Sequence, residues 1–306
     1  MRPLVLLALL LALAAPAGAA DYKLTPVLVG ADSYVFLGDT HFFNPSNGGN
    51  IVNTGFIVTP AGVVVIDTGP SAGYGQAMRQ AIRAVTPKPV VKVIITHAHP
   101  DHFLGSQAFT EAPIVSGAGT VEMIRAHGAE LAGNLYTLVG DAMRGTEPVV
   151  PQVTDSTGET IGGHELQYLH LSGHTGDDMA VFDRTTGVLF TGDLVFFRRA
   201  LTVPNADLPQ WRKSLAVLAA LPYRQMVPGH GPIPRGGEAI AETRAYMDWL
   251  DQTLSDAVEG GLDMTEAFHI RVPERFRKLA IVDEEFQRSV EQSYPRLEGA
   301  RLPALN

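Results

Sequence analysis

Residues 96–102 hold the densest group of chemically active side chains in this 306-residue chain. They read Thr-His-Ala-His-Pro-Asp-His, so three imidazoles and a carboxylate fall within seven positions. Both groups are good ligands for Zn²⁺ and similar divalent ions. His97 and His99 point the same way if the segment is extended, whereas Asp101 and His102 follow a turn at Pro100. One short segment could therefore supply two neighbouring metal positions.

The flanking sequence shows how this cluster would be held in place. An apolar, β-branched run at residues 90–95 predicts a buried strand, and residues 103–109 predict the start of a helix. The cluster then lies on a strand-to-helix turn that is fixed by packing on both sides. The alternative, a chance cluster of solvated histidines, is disfavoured because the chain contains only ten His.

Further candidate ligands follow other apolar strands. His174 lies in a Gly-His-Thr-Gly sequence, Asp193 ends a Thr-Gly-Asp sequence, and His230 lies between two glycines. Small neighbours allow the tight turn that presents each side chain. Asp67 ends an earlier predicted strand, and two roles stay open for it. It can orient a ligand His through its carboxylate, it can be the N-cap of the following helix, or it can do both.

These motifs, in this order, resemble the signature of the metallo-β-lactamase superfamily, and the resemblance covers about residues 30 to 232. It implies an α+β fold, the αββα sandwich, in which two packed mixed β-sheets carry helices on their outer faces. A C-terminal helical extension follows here. The local patterns fit this fold, because they predict a series of hairpins together with helices at residues 75–85, 119–131, 208–221, 239–257 and 284–294.

The resemblance also implies a dinuclear metal site with seven protein ligands. They form one group for each metal and a bridge between them: His97, His99 and His174; Asp101, His102 and His230; and the bridging Asp193. The expected cofactor is two Zn²⁺ per chain, with Fe or Mn as alternatives. Asp101 and Asp193 are the expected catalytic carboxylates.

Two metals about 3.5–4 Å apart can share a water and lower its pKa, so that a bridging hydroxide attacks a carbonyl group. The expected function is therefore zinc-dependent hydrolysis of an ester, thioester or lactone. True β-lactamases of the superfamily lack the bridging carboxylate that Asp193 would supply, whereas hydrolases resembling glyoxalase II carry it. Antibiotic hydrolysis is therefore not the expected native role.

Composition excludes several other classes. The chain is 45% hydrophobic and 18% charged, as expected for a globular protein with a sizeable core. A net charge of −9 argues against a nucleic-acid partner, which usually needs a basic surface. The absence of Cys excludes disulfides, a lipoprotein anchor, thiolate ligands and a cysteine nucleophile.

The first residues have the pattern of a cleaved signal peptide. Arg2 precedes an apolar run at residues 4–15 and small residues at 16–20. The expected organisation is a signal peptide at 1–20, a catalytic domain at 21–235 and a helical extension at 236–306. The mature protein would be periplasmic or secreted, with no stable membrane anchor after cleavage. An uncleaved anchor helix is the alternative, although the run is short for a membrane span.

Other residues have open roles. His41 lies in an Asn- and Gly-rich loop and either contacts substrate or is an exposed loop residue. Residues 196–199 either line the pocket or form a solvated basic turn. The remaining histidines lie in helix or strand patterns and are expected to be structural or exposed: His127, His164, His170 and His269.

The exported context, the full ligand set and the helical tail together resemble periplasmic zinc metallohydrolases associated with quinoprotein and sulfur-oxidation systems. The implied partners are a small-molecule substrate and periplasmic redox-system proteins. Three alternatives stay open. They are a thioester hydrolase resembling glyoxalase II, a mono-iron sulfur dioxygenase of the same fold, and a non-catalytic periplasmic zinc-binding accessory protein.

Overall fold

A computed structural model of the chain describes residues 22–301, so the predicted signal peptide at 1–20 lies outside the described residues. The described part contains two mixed β-sheets. The first sheet has seven strands in chain order: β1 Val27–Gly30, β2 Ser33–Phe36, β3 Thr54–Thr59, β4 Gly62–Ile66, β5 Val90–Ile94, β6 Ile114–Ser116 and β7 Gln152–Val153. The strands pair antiparallel from β1 to β4 and parallel from β4 to β7.

The second sheet has the order β12-β11-β10-β9-β8. Its strands are β8 Gly158–Ile161, β9 His164–Leu171, β10 Asp178–Asp183, β11 Val188–Phe190 and β12 Gln225–Val227. β8 to β11 pair antiparallel, and β12 adds to β11 in parallel. Both sheets therefore end in parallel strands, whose carboxyl ends present loops along one edge.

Seven α-helices lie within residues 22–301, joined by short 3₁₀ turns. They are α1 Ala72–Val85, α2 Pro100–Phe103, α3 Ala118–Val139, α4 Leu208–Ala219, α5 Glu238–Glu259, α6 Met264–Ala267 and α7 Val282–Arg301. In this part of the chain, no helix is both long and apolar enough to cross a membrane.

Apolar packing orders these elements into four layers. Ile57 and Val64 of the first sheet share a buried cluster with Val181 and Phe190 of the second, so the sheets pack face to face. Strand β4 is buried along its whole length because both of its faces are covered. A second cluster joins the first sheet to α1 and α3, and a third joins the second sheet to α4, α5 and α7. The predicted αββα sandwich is confirmed.

The C-terminal helices cover the second sheet. Met247 of α5 and Phe286 of α7 belong to the same buried cluster as Leu189 of β11 and Trp211 of α4. The tail from residue 236 onward therefore shares the core of the second sheet.

The structure differs from the predicted elements in three places. The helix predicted at 103–109 is a short α2, begun by Pro100, followed by a 3₁₀ turn. That turn packs closely, since a Cβ on Gly105 would overlap the carbonyl of Thr68. Helix α3 runs eight residues past the predicted end to Gly140, whose φ of 65° ends it. Helix α7 continues through Pro295, where the sequence pattern predicted an end.

Candidate metal centre

Five of the seven predicted ligands lie in the turns that follow strands, and the other two, Asp101 and His102, lie in the short helix α2. His97 and His99 come between β5 and α2, and His174 follows β9. Asp193 lies in a 3₁₀ turn after β11, and His230 lies in the turn after β12. The two sheets thus bring the ends of their strands together at one edge of the sandwich, where these side chains converge.

The first group combines His97, His99, His174 and Asp193, whose ligand atoms all lie within 4.8 Å of one another. His99 Nδ1 is 3.1 Å from His97 Nε2 and 2.8 Å from His174 Nε2. Asp193 Oδ2 lies 3.4 Å from His174 Nε2. Three ring nitrogens and a carboxylate oxygen therefore surround one point, as in a site for a divalent ion.

The second group combines Asp101, His102 and His230, again within 4.8 Å. Asp101 Oδ2 lies 3.4 Å from His230 Nε2 and 3.8 Å from His102 Nε2. The Asp193 carboxylate also contacts this group, since its Oδ1 is 3.2 Å from His102 Nε2 and its Oδ2 is 3.1 Å from His230 Nε2. Asp193 therefore lies between the two groups.

The residues fit metal ions because several buried polar atoms have no hydrogen-bond partner in the described part of the chain. These atoms are His102 Nε2, His174 Nδ1 and Asp193 Oδ1. His102 Nε2 and Asp193 Oδ1 are close, yet they do not form a hydrogen bond. Unpartnered buried groups are costly, and cations among these N and O donors would satisfy two of the three.

A further set of contacts orients the ligand rings. Asp67 Oδ2 accepts a hydrogen bond from His102 Nδ1 at 2.8 Å, while its carboxylate also accepts from the backbone and hydroxyl of Thr96. His230 Nδ1 donates to the carbonyl of Ile51 at 2.7 Å. Each contact leaves Nε2 of the ring directed at the group. Ser71 caps α1, so the N-cap reading of Asp67 is wrong.

The backbone around the ligands has an uncommon conformation at one residue and a very close approach at another. Asp67 has a φ of 56°, in the left-handed region that few non-glycine residues adopt. A Cβ on Gly229 would overlap the Asp193 carboxylate, which explains a glycine directly before His230. Asn53 fixes the same turn, because its Nδ2 donates to the carbonyls of Pro228 and Gly231.

Burial and neighbouring charges shift the pKa values of the ligand histidines in different directions. Burial lowers the pKa of His97 and His174 well below the usual value, and it lowers the pKa of His99 as well. For His102, burial acts in the same direction, but the surrounding carboxylates, Asp193 first, raise its pKa well above the usual value. The first group therefore presents neutral imidazoles, the form that binds metal.

The other residues singled out in the sequence lie outside the two groups of candidate ligands. His41 is exposed and pairs with Asp39 at 2.6 Å, while the next residues, Phe42 and Phe43, line the cavity at the metal groups. His164 is buried against Asp183, and His170 and His269 are exposed. In the 196–199 segment, Arg198 is exposed and Arg199 is buried at the cavity.

Two cavities meet at His99. One, of about 460 Å³, is largely apolar and is bordered by Ala98, Met123 and Leu131, with His127 at its rim. The other, of about 170 Å³, contains Asp101, Asp193 and His230 and extends to α7. Sequence reasoning missed the contributions of Met123 and α7, because residues far apart in the chain build both cavities.

Known proteins share this architecture. Residues 47–230 match the sequence profile of the Metallo-beta-lactamase superfamily. A linear primary-alkylsulfatase from Pseudomonas sp. (strain ATCC 19151) is 27% identical over 249 residues, which cover 65% of this chain and 46% of that protein. The chain thus spans about half of the length of this relative.

Solved structures give the same result at the level of the fold. The metallo-beta-lactamase from Pontibacter korlensis has a TM-score of 0.60 at 22% identity, over 74% of this chain and 99% of that one. The stereoselective inverting sec-alkylsulfatase from Pseudomonas sp. has a TM-score of 0.66 at 18% identity, over 92% of this chain and 52% of that one. With the profile matched over more than half of its length, the chain belongs to the metallo-β-lactamase superfamily.

Proposed function

We propose that this protein is a dinuclear metal-dependent hydrolase, with Zn²⁺ as the ion, that cleaves an ester, thioester or lactone. The observation that carries this proposal is the position of Asp193 between the two groups of ligands. A shared carboxylate is suited to hold two ions next to each other. The proposed catalytic unit is residues 21–235, and residues 236–306 extend it.

The proposed mechanism divides the work among residues of this chain. When bound, two metal ions supply Lewis acidity and activate a water molecule near neutral pH. Asp193 balances positive charge between the two groups, and His230 Nε2 lies within 3.1 Å of its Oδ2. Asp101 Oδ2, 3.4 Å from His230 Nε2, accepts a hydrogen bond from the attacking water and so orients it. Asp67 keeps the His102 ring aimed at the site.

The body of the substrate would occupy the cavity of about 460 Å³. Ala98, Met123 and Leu131 give it an apolar wall, and His99 connects it to the metal groups. A cavity of this size and character suits an apolar acyl or alkyl group. The scissile bond would then lie at His99, where the two cavities meet.

A sulfate ester is the second candidate substrate. The resemblance to the alkylsulfatase from Pseudomonas sp. favours it. The fold shared with the sec-alkylsulfatase also covers 92% of this chain, which includes C-terminal helices, whereas the Pontibacter lactamase covers 74%. Both candidates use the same metal groups and differ in the bond that is cleaved.

Metal content and a hydrolase panel, measured together, test the proposal. We expect two zinc ions per chain in the purified protein and turnover of at least one ester, thioester, lactone or sulfate ester. His99→Ala should lose metal and activity together, because it removes a ligand of the first group. His269→Ala is the matched control, since His269 is exposed on the C-terminal part.

Other outcomes would replace the proposal. One iron per chain with thiol-dependent oxygen consumption would indicate a sulfur dioxygenase. Zinc binding without turnover on any substrate would indicate an accessory protein. Equal losses in His99→Ala and His269→Ala would contradict the assignment of the ligands.

A further inference from the structure

The smaller cavity joins the metal groups to the C-terminal helix. On one side it is lined by ligands of the metal groups, and on the other by charged residues from the turn after Asp193 and from α7: Arg199, Glu285 and Arg288. These three residues have no part in holding metal. Their place beside the metal groups requires a separate explanation.

Arg199 is almost fully buried at this cavity, with 2% of its side chain exposed. Its Nε donates to the carbonyl of Thr40 at 3.2 Å. The nearest carboxylate oxygen, Glu285 Oε1, is 3.9 Å from Nη2, which is beyond hydrogen-bonding distance. A guanidinium has five N–H donors. The Thr40 contact uses one of them, and the Glu285 carboxylate is too distant to use another.

The backbone around Arg199 is held in an unusual conformation. Arg199 and Ala280 form an isolated β-bridge, in which Ala280 donates to Arg198 and accepts from Ala200. The residues beside this bridge, Arg198 and Ile281, have φ values of 55° and 53°. A β-branched residue such as Ile rarely adopts this region. Such strain persists only where the surrounding structure imposes it, and here it fixes Arg199 and the start of α7 at the cavity.

Arg288 also lines the cavity, and it lies one helical turn after Glu285 in α7. Its Nη1 is 3.0 Å from Glu285 Oε1, and its guanidinium lies 5.2 Å from the centre of the Phe42 ring. Glu285 is fully buried, and its Oε2 has no hydrogen-bond partner among the described residues. One carboxylate therefore faces two guanidinium groups, which leaves an excess positive charge. Two divalent cations opposite Asp101 and Asp193 would add to that excess.

We infer that Arg199 and Arg288 form an anion-binding subsite beside the metal groups, which holds a carboxylate or sulfate carried by the substrate. This inference rests on the proposed function, which it deepens by naming the charge of the substrate. The planar guanidinium groups match the oxygen pairs of carboxylate and sulfate. The substrate is then an anion whose charged end lies against α7 and whose apolar body lies in the larger cavity. Helix α7 thereby contributes directly to substrate recognition.

A purely structural role for these arginines makes a different prediction. In that case, Arg199 and Arg288 only tie the loop at Thr40 and Phe42 to α7. Their loss would then lower stability without changing the affinity for anions.

Anion binding to the zinc-loaded protein separates the two roles. Isothermal titration with sodium sulfate and with sodium acetate, at constant ionic strength, gives a dissociation constant for each anion. We expect Arg288→Met to weaken the preferred anion by at least about tenfold. The matched control is Arg277→Met, because Arg277 pairs with Asp283 at 2.6 Å and lies outside the cavity. Preference for one of the two salts distinguishes a sulfate from a carboxylate substrate.

Glu285→Gln is a second variant, and we expect it to change anion affinity in the opposite direction to Arg288→Met. It removes the negative charge that faces both guanidinium groups, so we expect tighter anion binding than in the wild type. Anion affinity unchanged in both Arg288→Met and Glu285→Gln would overturn the subsite. Anion binding that depends on Arg288 in a protein without turnover would leave the subsite standing while the proposed function fails.

For a substrate found by the panel, the subsite also predicts a split in the kinetic constants. Arg288→Met should raise KM for the anionic substrate and leave KM unchanged for its neutral ester analogue. An equal rise for both compounds would show that Arg288 acts through general packing.

Discussion

Asp193 is the side chain on which both groups of ligands depend. Its two oxygens contact His102, His174 and His230, and it is buried with one oxygen unpartnered in the described part of the chain. Although burial opposes a charged carboxylate, His230 and His102 hold its pKa well below the usual value. The low pKa favours the anionic carboxylate, the form that a bridge between cations requires.

Asp193→Asn tests this role at constant size. Asn keeps the shape and the hydrogen bonding but removes the charge that balances two dications. We expect kcat to fall at least about tenfold, or roughly 1.4 kcal/mol of transition-state stabilisation, with the zinc content falling below two per chain. Emission spectroscopy and steady-state kinetics on the same samples provide the measurement.

Asp155→Asn serves as the control for this substitution, because Asp155 is an exposed carboxylate outside both cavities. It should retain full metal loading and turnover. Wild-type kcat together with two zinc ions per chain in Asp193→Asn would be incompatible with a bridging role.

The sequence identified the seven side chains that the structure collects, and divided them in the same way, because each follows an apolar strand in a recognisable motif. The contacts that it did not predict are long-range. Arg199 meets Thr40 across 159 positions, and Asn53 meets the turn at Gly231 across 178 positions. Local patterns carry no information about such pairs, whose meeting depends on how the two sheets pack.

Among the elements, α7 shows how packing decides what local pattern leaves open. The sequence predicted an amphipathic helix there, but it did not predict the surface that the helix covers. Phe286, which is 2% exposed, packs near Trp249 of α5 at a ring distance of 5.4 Å. This contact docks α7 on α5, whose buried side chains share a cluster with the second sheet, and it places the adjacent Glu285 at the metal cavity.

Phe286→Ala should therefore destabilise the whole fold and not α7 alone. Loss of a buried Phe leaves a void, and such substitutions cost roughly 3–5 kcal/mol in the free energy of unfolding. Leu138→Ala, at a side chain that is 51% exposed, should cost less than about 0.5 kcal/mol. Denaturant unfolding of both variants provides the comparison. A cost below about 1 kcal/mol for Phe286→Ala would show that α7 is not part of the core.

At the scale of the whole molecule, the sequence at residues 1–20 leads us to propose that the protein is exported and cleaved. The mature chain should then begin near Asp21 and function in the periplasm or outside the cell, where we propose that it meets periplasmic redox-system proteins. N-terminal sequencing of protein from the periplasmic fraction checks this. Met1 retained in the processed pool would contradict export.

The whole molecule should also lose its metals in a defined order as the pH falls. A metal ion binds only the deprotonated imidazole, so protons compete with it at each ring. Carboxylates raise the pKa of His102 well above the usual value despite its burial, whereas burial lowers the pKa of His97 and His174 well below it. Protons therefore compete more strongly at His102 than at His97 or His174.

Because protonated His102 persists to a higher pH, metal affinity at its group rises with pH and falls first on acidification. Zinc content, measured after dialysis at fixed free zinc between about pH 8 and about pH 5, should drop from two to one per chain before it approaches zero. His170→Ala, at an exposed ring, should leave this profile unchanged. If both zinc ions left at one midpoint, the two groups would not differ in proton competition. The stabilisation that each ion contributes to the folded state would then be lost in a single step, and the ligands from both sheets would act as one site.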